Sequence, residues 1–275
     1  MNSPVKTLVV RNLLRFARDR MRLFMTLFMS GLFLFVFSFV SRGAGAAIEH
    51  PMNYLVAGIV VMTVFQTALN GSMNILEDVS GGFMKEILVA PVARWEIAVG
   101  QILSAMAISV VQGLVVLGIG FFLGLRVDLF HAAEMLLLLC LMGSTFGALG
   151  LYLATVARES ANFQLLVVLV SFPLTFLSGA YIPATLLPRA LLPVVYLNPL
   201  TYTTASFRFV ALHMENASQE ELIRSGVSFP IGGHVVGPLA GTVMVAAMGA
   251  VFLFLSVKRF SSADFSRVKV FKRHR

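Results

Sequence analysis

Apolar residues in this chain fall in long unbroken runs, without the strict alternation of half-buried strands. A helix needs about 20 apolar residues to cross the hydrocarbon of a bilayer. Six runs reach that length, at about 23–40, 53–76, 97–125, 135–157, 161–182 and 234–257. None carries Asp, Glu, Lys or Arg in its middle. The pattern predicts an all-α polytopic membrane protein with six transmembrane helices. Residues 23–257 form the membrane domain, preceded by a cytoplasmic segment, 1–22, and followed by a basic cytoplasmic tail, 258–275. Ala44-Gly45-Ala46 after the first run resembles a signal-peptide cleavage site. That run is longer than the usual 7–15 residues and has a long lead before it, so an uncleaved anchor is expected.

The segment before the first run has its own periodicity. Arg11, Arg15, Arg18 and Arg22 recur at helical spacing and share one face, with Val5, Val9, Leu13 and Phe16 opposite. This predicts an amphipathic helix in the cytoplasmic interface, its basic face toward headgroups or a partner. Orientation follows from the remaining Lys and Arg. Lys6, Lys85, Arg94, Arg158 and the basic tail join the four arginines on the side of both termini, whereas Arg42, Arg126, Arg189, Arg208 and Arg224 fall on the other. Both termini are expected in the cytoplasm.

Composition agrees with a membrane chain. Of 275 residues, 58% are hydrophobic and 12% charged, against about 45–50% and about 25% in an average soluble domain. A soluble enzyme, a disordered chain and a disulfide scaffold are excluded on that ground. The formal charge of +8 is concentrated beside the membrane runs, so no nucleic-acid partner is expected and membrane lipid is. The single cysteine, Cys140, has no partner for a disulfide or a metal site.

Two connections are more than plain loops. The cytoplasmic one, about 77–94, opens with Glu77 and Asp78. Gly81-Gly82 then permit a tight turn, Phe83, Met84, Ile87 and Leu88 form one apolar helical face, and the segment also carries Glu86. Pro91 ends that short helix, and Arg94-Trp95 marks the next membrane boundary. The external connection, about 180–207, is broken by Pro183, Pro188, Pro193 and Pro199. Leu186, Leu187, Leu191 and Leu192 keep a helical spacing there, and a helix so short cannot span yet is too apolar to float, which predicts a re-entrant or interfacial helical hairpin. Within the runs, Gln66, Asn70 and Asn74 share one face, and Gln101, Gln112 and Gln164 add further amides. Buried amides need partners, so they line a polar path or bond between helices. The glycine pairs Gly120/Gly124, Gly143/Gly147 and Gly237/Gly241 permit close helix contact, expected within one chain more than between two copies. Val79-Ser80-Gly81-Gly82-Phe83 echoes the signature of ABC ATPases, yet no G-x-x-x-x-G-K-[ST] loop exists to cradle phosphates.

The order of basic helix, two spans, acidic-led cytoplasmic helix, three spans, external hairpin, last span and basic tail resembles the permease subunit of type-2 ABC transporters. That group includes drug, Nod-factor and polysaccharide exporters. The most specific pieces are Phe176-Leu177-Ser178-Gly179 through Pro183, then Leu197-Asn198-Pro199-Leu200-Thr201-Tyr202 and Arg208. A second piece is Glu77-Asp78 … Gly82 … Leu88-Val89-Ala90-Pro91-Val92-Ala93-Arg94. Ala93 stands where the family often has Ser. The resemblance implies a homodimeric pore with two separate ATPase subunits, which bind ATP and Mg, so that this chain holds no cofactor. Those subunits would dock on a coupling helix carrying Glu77, Asp78, Gly82, Phe83, Glu86, Pro91 and Arg94. Gln66, Asn70, Phe172 and Phe176 would line the path. Ser178, Gly179, Pro183, Asn198, Pro199 and Tyr202 would form the external gate. The cell membrane, in bacteria the inner membrane, is the implied location. The apolar path favours export of a hydrophobic or lipid-linked substrate, with surface polysaccharide as the alternative.

Other classes fare worse. An intramembrane enzyme needs an activated nucleophile or paired acids at membrane depth, and H-E-x-x-H is absent. An ion-driven carrier commonly uses mid-membrane carboxylates, and none lies mid-run. A membrane scaffold would leave both patterned connections unexplained.

Overall fold

A computed structural model describes residues 4–43, 51–84, 92–122, 125, 128–157, 159–180, 188–231 and 234–262. The chain is a multi-pass helical membrane protein. Helix α1 covers Pro4–Arg18, α2 Arg20–Gly43, α3 Pro51–Asn70, α4 Met73–Ser80, α5 Arg94–Phe122, α6 Leu129–Ala157 and α7 Ser160–Phe176. After a 3-10 turn at Arg189–Leu191 come α8 (Leu192–Leu197) and α9 (Pro199–Ala211). A second 3-10 turn, Met214–Asn216, precedes α10 (Gln219–Arg224) and α11 (Pro238–Ser262). Four helical stretches are long and apolar enough to cross a membrane: Asn53–Ser80, Arg94–Phe122, Leu129–Ala157 and Pro238–Ser262. Leu23–Phe33 and α7 are shorter apolar helices.

The core is built around α3, which packs on α2, α5, α6 and α9. The apolar window of Asn53–Ser80 is 83% buried, that of Pro238–Ser262 only 22%, so the former is central and the latter faces outward along most of its length. Val56, Val60, Val64 and Phe65 are wholly buried, and Phe65 meets Phe146 of α6 edge-to-face at 4.7 Å. Lipid tails are as apolar as these side chains, so close contact between helices, not exclusion from water, must hold the bundle. Gly143 and Gly147 supply that contact. A Cβ on Gly143 would stand 3.0 Å from the Met106 Cα, and one on Gly147 3.2 Å from the Ala105 Cβ, both on α5. These glycines pack within the chain.

Several expectations are revised. The second run does not end before Glu77. Helix α3 breaks at Gly71-Ser72 and resumes as α4, so Glu77 and Asp78 lie inside a helix rather than at the head of a loop. The break accompanies a close approach, since a Cβ on Gly71 would stand 2.7 Å from that of Ala105. The last membrane helix starts at Pro238, not His234. His234–Val236 instead pairs antiparallel with Phe229–Ile231, a small ribbon that qualifies the all-α reading. The polar stretch from Asn216 also holds α10, capped by Ser218. Helix α1 exists as expected, but its buried stripe is Leu8, Asn12 and Phe16, set against α5, with Leu8 touching Gly100. Glu86, Pro91 and Pro183 lie outside the described residues.

Candidate functional site

Three groups of predicted residues can be placed. At the α1 end of the bundle, the Arg11 guanidinium pairs with the Asp78 carboxylate. Arg15 reaches Asp78 at 3.3 Å and Glu77 at 3.8 Å. The Asp78 side chain is 4% exposed and that of Glu77 48%, so the two neighbours differ in kind. Asp78 is an internal anchor, whereas Glu77 remains at the surface. Helical spacing explains the clamp: Arg11 and Arg15, four residues apart, stand one above the other and close on one carboxylate. Asn12, one residue on, donates to Gln101 of α5 at 3.1 Å. The basic face expected to point outward is thus half engaged within the chain, while Arg18 stays exposed. Gly82 follows α4 with φ of +82°, the left-handed turn its lack of a Cβ permits. Arg11 also lies over the Phe83 ring at 4.5 Å. Arg94 donates to the Ser261 carbonyl at 3.0 Å, tying the start of α5 to the end of α11. Ala93 occupies the N-cap of α5, and its N–H donates to the Glu96 carboxylate at 3.0 Å, one half of a capping box.

The second group forms an open cleft of about 500 Å³. Helix α2 contributes Met25, Thr26, Met29, Ser30 and Phe33, α3 contributes Ile59 through Asn70 on one face, and α5 contributes Gln112. Gln66 and Asn70 both line it. The Asn70 amide donates to the Gln66 carbonyl oxygen at 2.8 Å, and the Gln66 amide has no partner among the described residues. The floor is a hydroxyl–amide network. Gln112 accepts from Thr67 and donates to Thr26 at 3.0 Å, while Ser30 and Thr63 share a bond at 3.2 Å. Thioether and phenyl groups surround this polar row, so the cleft offers an apolar bed with hydrogen-bonding groups at one side. Phe172 and Phe176 do not join it. They contact each other at 5.0 Å on the outer face of α7, 61% and 55% exposed.

The third group converges on the C-terminal end of α7. A helix leaves its last carbonyls without partners, and where these are buried away from water each must be satisfied by protein. Ser178 Oγ donates to the Thr175 carbonyl at 2.7 Å and accepts from the Ala180 N–H at 3.2 Å. Gly179 makes the turn with φ of +78°. Asn198 Nδ2 donates to the Leu174 carbonyl at 2.8 Å, and its Oδ1 accepts from the Leu200 N–H at 2.9 Å, capping α9. Pro199 follows at the first helical position, where a missing N–H costs nothing. Thr201 donates to the Leu177 carbonyl at 3.3 Å, and the Tyr202 hydroxyl to the Tyr196 carbonyl at 2.7 Å. Arg208 completes the set. It is 1% exposed, donates to the carbonyls of Gly179 at 3.3 Å and Ala180 at 3.1 Å, and stacks on Tyr54 of α3 at 3.4 Å. Gly58 makes room, since a Cβ there would stand 2.7 Å from the Ala180 oxygen.

Sequence reasoning missed the Arg11–Arg15–Asp78 clamp, because nothing local links residues 67 positions apart. It also missed the part played by Tyr54, and a cluster of Asp128, His131, His213 and Glu215 at the other end of the bundle. Contact with the His131 ring holds the Asp128 carboxyl below the usual range.

Residues 4–212 match the family model of the ABC-2 type transporter. The chain is 29% identical over 166 residues to the putative transport permease ycf38 of Cyanophora paradoxa, covering 59% of this chain and 57% of that protein. It is 29% identical over 163 residues to the inner membrane transport permease YadH of Escherichia coli, covering 58% and 62%. A third relative, the inner membrane transport permease YhhJ of the same species, is 29% identical over 202 residues, 72% of this chain and 48% of that protein. The chain thus spans roughly half to three-fifths of the length of these relatives. The family match runs from α1 through the Asn-Pro cap and Arg208 to the end of α9, well over half of the sequence, and so the chain belongs to the ABC-2 type transporter family.

Proposed function

We propose that this chain is the pore-forming permease of an ATP-driven exporter and that it carries a hydrophobic or lipid-linked substrate out of the cytoplasm. As a membrane subunit of its family it has no catalytic site and no cofactor of its own. Two copies would form the pore, each with six spans: α2, α3–α4, α5, α6, α7 and α11. Both termini would face the cytoplasm, in a cell membrane such as the inner membrane for which two of the relatives are named. Two ATPase subunits would bind ATP and Mg and dock on the 77–94 connection, with Glu77 and Arg94 at its accessible edge. Nucleotide-driven closure of the ATPases would then shift the permease between two conformations. In that cycle the hairpin held by Ser178, Gly179, Asn198, Pro199 and Tyr202 acts as the external gate.

The observation that carries this reading is the cleft lined by Gln66 and Asn70 amid Met25, Met29, Met62 and Phe33. Its chemistry fits an amphipathic solute with an apolar body and a few hydrogen-bonding groups. The test is reconstitution of the complex purified from native membranes. A co-purifying ATPase in a 2:2 complex is expected. Substrate-stimulated ATP hydrolysis should change several-fold in Gln66→Ala and Asn70→Ala at unchanged assembly. A homo-oligomer that retains no ATPase after crosslinking would refute the proposal. A second reading, export of a surface polysaccharide, draws on the exposed Phe172–Phe176 pair, since aromatic faces suit sugar rings. Loss of activity in Phe172→Ala with Gln66→Ala silent would favour it.

A further inference from the structure

At the end of the bundle opposite Asp78, the first turn of α6 meets the segment that follows α9. His131 lies between two carboxylates, with Nδ1 against Asp128 and Nε2 at 2.6 Å from Glu215. The His213 ring packs on the His131 ring with centroids 4.1 Å apart. Ligand atoms of Asp128, His131 and His213 all lie within 4.8 Å of one another. From this geometry we infer that Asp128, His131 and His213 form a binding site for a divalent transition-metal ion, Zn²⁺ by its donor set, with Glu215 orienting His131.

The donors are of the right kind. Two imidazoles and a carboxylate suit zinc, with a fourth position left for water, whereas calcium and magnesium prefer oxygen donors alone. Neutral imidazole has one N–H and one lone pair. With Nε2–H kept on Glu215, the Nδ1 proton that faces Asp128 in the metal-free protein leaves on metal binding, and the lone pair it uncovers takes the ion. A carboxylate on the far nitrogen of a metal-bound histidine is the usual means of fixing its ring and raising its basicity. On a tetrahedral zinc ion neighbouring ligand atoms stand roughly 3.4 Å apart, so small rotations of these side chains close the set. Asp128 is 59% and Glu215 43% exposed, which leaves them free to move and gives the ion a route in.

His213 adds an independent observation. Its backbone is left-handed, at φ 52° and ψ 50°. It is the sole described non-glycine residue with positive φ. It sits just past the end of α9, where glycine or asparagine is usual. A histidine there carries strain that a glycine would relieve, and what the strain achieves is the placement of its ring against His131. Bound metal would tie the outer end of α6 to the return from the hairpin, two elements joined at this point by side chains of opposite or ligating character.

The test uses full-length protein purified in detergent through a tag without histidine and stripped with chelator. Titration with ZnCl₂ should show one ion per chain with micromolar or tighter affinity and a raised melting temperature. CoCl₂ should give visible absorption bands of a nitrogen–oxygen site. His131→Gln and His213→Gln should each weaken Zn²⁺ at least tenfold and abolish the thermal shift, Glu215→Gln should weaken it about tenfold or more, and His234→Gln should bind as the parent does. Should His131→Gln aggregate, His213→Gln on its exposed turn decides alone. No saturable binding below 100 µM, or binding that survives His213→Gln unchanged, overturns the site.

Discussion

Arginines fasten both ends of this bundle, by opposite chemistry. At one end Arg11 and Arg15 close on the buried carboxylate of Asp78. At the other, Arg208 is buried against two carbonyl oxygens and the face of Tyr54, and no carboxylate pairs with it among the described residues. A charge pair is attractive across several ångströms and tolerates sliding, so two helices can shift while it holds. A cage of carbonyls and an aromatic face demands fixed distances and a planar fork. The clamp at α4 is suited to an element that moves with a partner. The cage past the end of α7 is suited to an element that keeps its shape while it moves as a whole.

Breaking the clamp should have the largest effect. Asp78→Ala removes a buried partner and strands the arginine that faces it. Removing one member of a buried pair costs about 3–5 kcal/mol. Because Arg15 is half exposed, the lower end is expected. The outcome is release of α1, seen as faster proteolysis near Asp19 and a lower melting temperature. Glu77→Ala touches only a surface pair at 3.8 Å and should cost less than about 1 kcal/mol. That difference separates two uses of neighbouring acids. If Glu77→Lys abolishes ATPase docking without loss of stability, Glu77 serves the partner and Asp78 the fold. Equal destabilisation by both would remove the distinction.

Arg208→Lys tests the cage. Lysine keeps the charge but lacks the fork that spans the Gly179 and Ala180 oxygens, and it stacks less well on Tyr54. One hydrogen bond to a charged group and the stacking would be lost together, a cost of about 2 kcal/mol. The protein should still insert and, under the proposed function, bind an ATPase subunit, since the clamp is untouched. Under the proposed function transport should fall, because the turn at Gly179 and Ala180 loses its fixed geometry. Full transport in Arg208→Lys would show that charge alone matters and would erase the contrast between the ends.

The two ends were also unequally legible in sequence. Four of the six expected spans stand out as long apolar helices, because a run of apolar residues needs no distant partner to be recognised. Ser178, Gly179, Asn198, Pro199 and Tyr202 form a pattern whose bonds to the end of α7 lie within about 25 residues, so local reasoning singled out the residues of this cap. Asp78 was different. An acid beside Glu77 at the foot of an apolar run reads as the start of a loop, and only the three-dimensional meeting of α1 with α4 shows it as buried. Tyr54 under Arg208 and His213 beside His131 fail for the same reason. A cation over a ring or two imidazoles in contact leave no mark at any fixed sequence interval. Gln66 and Asn70 fell on one face as their spacing required, but Phe172 and Phe176 do not share their cleft, because a helix face says nothing about which neighbour it meets.

The smallest predicted effect concerns the entry of α5, next to the clamp. Glu96 accepts from the Ala93 N–H at 3.0 Å, so the acidic half of a capping box is present. The N-cap side chain that would accept from the Glu96 N–H in return is a methyl group. Ala93→Ser supplies the missing oxygen and should stabilise the helix by about 0.5–1 kcal/mol. At the N-cap the hydroxyl acts on α5 alone and leaves Asp78 and Arg208 as they are. The gain should therefore appear as a small rise in melting temperature, with proteolysis at Asp19 unchanged. If Ala93→Ser also protected the Asp19 junction, α5 and α1 would be one cooperative unit. The clamp would then report on the whole α1 end of the bundle rather than on α4 alone.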